Sequence, residues 1–164
     1  MKWNVRKVFT REETHMPIED KIDLSEMVFQ NTFPIQKPVV VTGSVSGAGS
    51  VVILRMKMEY CFNGQCDRCL ELVEQTATVE AEHILVTSVE DEDNDDLVVV
   101  DQFMLDLDEL VCDDVWIELP SKCLCKPDCQ GLCPRCGKNL NQGPCGCSGK
   151  ETDPRLAALT ALLK

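Results

Sequence analysis

The stretch CLCKPDCQGLCPRCGKNLNQGPCGC, residues 123–147, holds seven of the eleven cysteines in a chain of 164 residues, and none occurs before Cys61. Such crowding limits what this part of the chain can become, because a small loop-rich segment needs a cross-link or an ion to hold it. An odd number of cysteines leaves one over in any fully paired disulfide framework, and a secreted scaffold spreads its bridges through the fold. The opening MKWNVRKVFTREE has no apolar stretch of signal-peptide length and no small-residue cleavage site. No run of 18 apolar residues occurs, so no membrane span is expected. These features point to a cytoplasmic protein, where thiols stay reduced and clustered cysteines hold metal more often than disulfides.

The spacings fit that reading. Zinc takes four thiolate or imidazole ligands in a tetrahedron, and two cysteines separated by two residues in a tight turn supply half of one. Cys133-Pro-Arg-Cys136, followed by Gly137, and Cys145-Gly-Cys147 form a self-contained four-thiolate set, the ribbon site. Cys66-Asp-Arg-Cys69 and Cys125-Lys-Pro-Asp-Cys129 are two further pairs, and the economical assignment joins them as a second, hairpin site. Cys123 in place of Cys125, or Cys129 joining the ribbon, are alternatives left open by spacing alone. One or two zinc ions are expected, although four thiolates also suit iron. Cys61 and Cys112 sit in strand and helix patterns and read as small buried hydrophobes.

Catalytic patterns are not recognised. Neither CxxC pair opens a helix in a βαβ unit, as a thioredoxin-like centre requires. His15 and His83 are the only histidines and neither lies near a cysteine pair. SGAGS, residues 46–50, lacks the lysine and following helix of a phosphate loop and reads as a turn. The acidic run VEDEDNDD, residues 89–96, fails the calcium-loop template and reads as a solvated loop. No active site is expected, and the chain reads as non-enzymatic.

Outside the cysteines the text is mainly β. WNVRKVF, residues 3–9, alternates as an opening strand would. DLSEMVFQN reads as a short helix or turn. Residues 37–88 are rich in β-branched residues with period-two patterning, and a phase slip over residues 82–85 predicts a bulge or bend. LVVVD reads as a short buried strand. Residues 106–119 predict an amphipathic helix capped by Asp106 and stopped by Pro120. TDPRLAALTALLK predicts a final helix over 151–164, packing on the core. The fold class expected is α+β: a mainly antiparallel sheet or open barrel in residues 1–119, a Cys-rich zinc lobe in 120–150, and the closing helix.

Charge divides the chain. Residues 1–119 carry 9 basic and 25 acidic side chains, and residues 120–164 carry 7 basic and 3 acidic ones, within a formal net charge of -12. CDRCLE at 66–71, LPSKCLCKPDCQGLCPRCGKNLNQGPCGC at 119–147 and DPRLAAL at 153–159, in that order, resemble the bacterial and plastid YceD family of large ribosomal RNA subunit accumulation proteins. The resemblance covers essentially the whole chain. It implies a role in 23S ribosomal RNA accumulation and large-subunit biogenesis, with that RNA or a pre-50S particle as partner. Some family members lack the CPxCG half, which implies that the ribbon site is an elaboration. Combined with the charge map, the resemblance gives two expected contacts. The basic end would touch RNA through Lys126, Arg135, Lys138 and Arg155, and the acidic body would meet a basic large-subunit ribosomal protein. Two other roles fit the residues: an adaptor or chaperone for a basic ribosomal protein without RNA contact, and a zinc-thiolate redox sensor.

Overall fold

A computed structural model describes residues 2–48, 51–88 and 97–147 of the chain. It is sheet-rich with few short helices. β2 (His15–Ile22), β3 (Val39–Ala48), β4 (Val51–Gln65), β5 (Leu72–Val86) and β6 (Leu97–Val99) form one five-stranded sheet in that spatial order. All neighbours are antiparallel except β5 and β6, which run parallel. β2 and β6 are the outer strands and do not pair with each other among the described residues. β1 (Lys2–Asn4) and β7 (Met104–Asp106) form a separate two-stranded ribbon.

β4 shows why the sheet forms. Val52, Leu54, Met56, Met58, Tyr60 and Phe62 alternate with exposed or half-buried neighbours and are all buried, the period-two signature of a strand with one face on a core. Val39, Val41 and Val45 of β3 and Ile18 and Ile22 of β2 join the same apolar cluster. α2 (Leu107–Glu118) adds Leu107, Val111 and Val115, all fully buried. Its Asp106 cap accepts a hydrogen bond from the Asp108 N–H at 3.2 Å. The helix therefore lies where the sequence places it.

Several expectations are corrected. Only Lys2–Asn4 of the opening segment is strand; Arg6–Phe9 is a short helical turn, α1. Val5 and Val8, three apart, are both buried and so share a helical face, which overrides the alternation. The β4–β5 register runs without interruption from Val52↔Leu85 to Gln65↔Leu72, so there is no bulge near residue 82. His83 takes the inward position instead, and its Nε2 lies 2.9 Å from Asp114 Oδ2 of α2. A polar pair occupies the core face, and this made the apolar phase look slipped. β2 was not anticipated, because Pro17 breaks an otherwise alternating Met16, Ile18, Ile22 pattern. The expected helix over 151–164 and the acidic run 89–96 lie outside the described residues. No helix among the described residues is long and apolar enough to cross a membrane.

Candidate metal centres

β4 and β5 form a long hairpin, and its six-residue loop 66–71 carries the first cysteine pair. The Cys66 carbonyl accepts the Leu70 N–H at 2.9 Å, and the Cys66 N–H reaches the Glu71 carbonyl at 2.8 Å, which folds the loop into a knuckle. Leu70 there has φ of 61°, a left-handed conformation that costs a non-glycine residue about 1–2 kcal/mol. In the second knuckle the matching place is Gly137, at φ of 70°, where no side chain opposes it. Leu70 is also 60% exposed.

The segment after α2 brings the other ligands to the hairpin. The Asp67 N–H donates to the Cys123 carbonyl at 2.8 Å, and the Cys123 N–H donates back to Asp67 Oδ2 at 2.8 Å. Arg68 Nη1 donates to the Cys129 carbonyl at 2.8 Å, and its own carbonyl accepts the Leu132 N–H at 3.0 Å. The Sγ atoms of Cys66, Cys69, Cys125 and Cys129 all lie within 4.8 Å of one another. Cys66 to Cys129 is 3.7 Å and Cys69 to Cys125 is 3.5 Å. A tetrahedral ion about 2.3 Å from each sulfur needs edges of about 3.8 Å, so the set fits. Of the alternatives left open by spacing, Cys123 stands outside the four-sulfur group, packed beside Gly64, and Cys129 lies within the hairpin group.

Cys133, Cys136, Cys145 and Cys147 form a second group under the same 4.8 Å limit, with Cys133 and Cys145 3.4 Å apart. The Gly137 N–H donates to the Cys133 carbonyl and the Cys133 N–H to the Lys138 carbonyl, at 2.9 and 2.8 Å. The intervening span also reaches back to the hairpin site. A short 3-10 turn, Leu140–Gln142, carries Asn141, whose Nδ2 donates to Cys129 Sγ at 3.2 Å while its Oδ1 accepts the Gln130 N–H at 2.9 Å. Asn139 Nδ2 donates to Glu71 Oε1 at 2.9 Å. The two groups are thus parts of one lobe.

The electrostatics suit a cation. Burial pushes the Cys66 thiol up, but N–H groups of Cys125, Cys69 and Arg68 outweigh it and bring the thiol down to about 6. N–H groups of Cys136 and Arg135 bring Cys133 to about 6, and the Asn141 amide lowers Cys129. Cys69, Cys125 and Cys147 go the other way. Burial raises Cys125, and a hydrogen bond with Cys136 helps push Cys147 up to about 12. Four sulfurs this close cannot all ionise by themselves. A central dication removes the conflict and holds all four as thiolates. All four positions of each tetrahedron are protein sulfurs, which leaves none for substrate and matches a structural rather than a catalytic site.

Asn141 gives a direct test of the supporting shell. Asn141→Ala removes the amide donated to Cys129, and such partners tune affinity by about 10–100-fold. The expected result is a loss of that size at the hairpin site, read by chelator competition, with the ribbon site unchanged.

Lys126, Arg135 and Lys138 are all exposed on this lobe, and Lys138 Nζ donates to the Pro144 carbonyl at 3.0 Å. Arg155 lies outside the described residues. Cys112 is half-buried against the core. Cys61 is not a buried hydrophobe: it is half-exposed, and its thiol donates to Glu74 Oε1 at 3.2 Å, a carboxylate that also accepts from Lys37 at 2.6 Å. Sequence reasoning missed this cluster, since cross-strand neighbours of β4 and β5 depend on register.

A family model described as "Large ribosomal RNA subunit accumulation protein YceD" matches residues 54–163. The chain belongs to the YceD family. The YceD match begins within β4 and takes in the hairpin, α2 and both cysteine groups, leaving β1 to β3 ahead of it. An uncharacterized protein of Mycobacterium tuberculosis is 38% identical over 105 residues, covering 61% of this chain and 50% of its own length. An uncharacterized protein of Mycobacterium leprae is 36% identical over 104 residues, covering 60% of this chain and 47% of its own length. This chain therefore spans about half the length of those mycobacterial relatives. The uncharacterized protein YlbN of Bacillus subtilis is 22% identical over 170 residues, covering 100% of this chain and 97% of its own length. No solved structure matches the chain.

Proposed function

We propose that this YceD protein is a non-enzymatic, cytoplasmic factor for 23S ribosomal RNA accumulation and large-subunit assembly, with two structural zinc ions. The observation that carries the reading is the family match over residues 54–163, whose description names large ribosomal RNA subunit accumulation. The charge map supplies a division of labour. The Cys-rich lobe exposes Lys126, Arg135 and Lys138 and meets RNA, while the acidic body meets a basic ribosomal protein. Arg155 joins the RNA contacts in this reading.

Phosphate contacts by lysine and arginine release counterions, so each one removed weakens binding and flattens its salt dependence. The double variant Arg135→Glu, Lys138→Glu is expected to weaken association with 23S RNA at low salt by at least about tenfold and to reduce the salt slope by about 2. Unchanged association at low salt would defeat the RNA half of the reading. Crosslinking with separate identification of RNA and protein then tests each partner on its own.

A further inference from the structure

The two edges of the sheet are uneven. β2 is eight residues long and carries Pro17, which lacks a donor. β5 is different. β4 pairs with it along residues 72–85, but on its other side β6 meets only Ile84–Val86. Among the described residues, no backbone hydrogen bond reaches that second side between Leu72 and His83. This stretch contains neither proline nor glycine, so its ladder of donors and acceptors is intact.

We propose that the outer edge of β5 is a docking site for an extended lysine- or arginine-bearing polypeptide segment, which adds to the sheet in line with β6. The side chains define the segment. On the solvent face stand Glu74, Thr76, Thr78, Glu80 and Glu82, all exposed. Arg55 already holds Glu82 at 2.7 Å and Lys37 holds Glu74 at 2.6 Å, whereas Glu80 accepts no hydrogen bond among the described residues and has the charge of Lys57 across from it on β4. On the core face, Ala77 and Ala81 flank the buried Val79 and stay half-covered, leaving a shelf for small apolar groups. A segment alternating cations with threonine or valine satisfies both faces at strand spacing. Leu72, Val73 and Glu74, at the hairpin end of β5, also line a cleft of about 800 Å³ in which Phe33, Leu70 and Leu72 are exposed. A second copy of the chain fits poorly, because pairing β5 with itself sets glutamates against glutamates. The inference deepens the protein-binding half of the proposed function and is independent of its RNA half.

The test titrates the metal-loaded full chain with a synthetic peptide alternating lysine with threonine or valine, and with a peptide of equal charge bearing alternate prolines. Amide exchange reads the site. The first peptide is expected to protect residues 76–82, and the proline peptide to bind at least about tenfold more weakly, since it cannot form the ladder. Thr78→Lys with Glu80→Lys is expected to weaken the first peptide about tenfold through two unfavourable cross-strand charges. Glu80→Gln, which keeps shape, should give a smaller loss of the same sign, guarding against misfolding of the double variant. Equal binding of the proline peptide, protection located elsewhere, or full affinity in both variants would overturn the inference. RNA association, measured on the same variants, is expected to stay unchanged; its loss alone would count against the RNA half only.

Discussion

Replacing Cys66 with serine is expected to reduce the metal carried per chain from two ions to one and to detach the β4–β5 hairpin from the C-terminal lobe. Cys66 is fully buried and receives three backbone N–H groups. A serine hydroxyl there is a poor ligand for a soft-ligand site, and three sulfurs do not complete the tetrahedron. Structural zinc contributes about 10–16 kcal/mol of apparent binding free energy in small fingers, so losing one site should remove on the order of 5 kcal/mol or more from the lobe. Native mass spectrometry reads the ion count, and chelator-induced unfolding reads the stability. Cys136→Ser, on the exposed knuckle, should remove the other ion while leaving the melting of the β-rich body nearly unaltered. Two ions retained in Cys66→Ser would contradict the hairpin site.

Gly43→Ala is the second large effect. Gly43 lies in β3 opposite Met56 of β4, and a Cβ built on it would stand 2.2 Å from the Arg55 carbonyl oxygen and 3.0 Å from Met56 Cα. Both obstacles are backbone, so no rotamer change relieves them. β3 must move away from β4, which opens the central pairing of the sheet between the buried Val41 and Val45. Overpacking of a well-filled core costs about 1–3 kcal/mol and occasionally more. With rigid backbone on the receiving side, a loss of about 3 kcal/mol is expected in urea unfolding. An alanine variant as stable as the parent would show that the two strands do not approach this closely.

The parts legible in the sequence are those fixed by local pattern. α2 has a cap, a stop and an apolar stripe within 15 residues, and the cysteine pairs are defined by one to three intervening residues. The union of Cys66 and Cys69 with Cys125 and Cys129 was inferred by counting partners, and the structure brings those four together. Long-range features were illegible. His83 in the core face makes sense only once Asp114 is seen to face it. β2 was concealed by Pro17, which an outer strand tolerates and an inner one does not. Cys61 was misplaced because its phase on β4 was visible but its companions, Lys37 and Glu74, come from elsewhere in the chain. The Asn141 amide on Cys129 depends on a turn whose only advance sign was a polar stretch between cysteines.

The hairpin site joins sulfurs 56 residues apart, Cys69 and Cys125, across the whole of β5, β6 and α2. During synthesis from the amino end, the first two sulfurs emerge long before the last two. An ion cannot be fully enclosed there until Cys129 has left the ribosome, by which point the sheet and α2 are already available to fold. Enclosure of an ion there is therefore a late step of folding: a chain cut short before residue 129 lacks the fourth sulfur and leaves the knuckle unsealed.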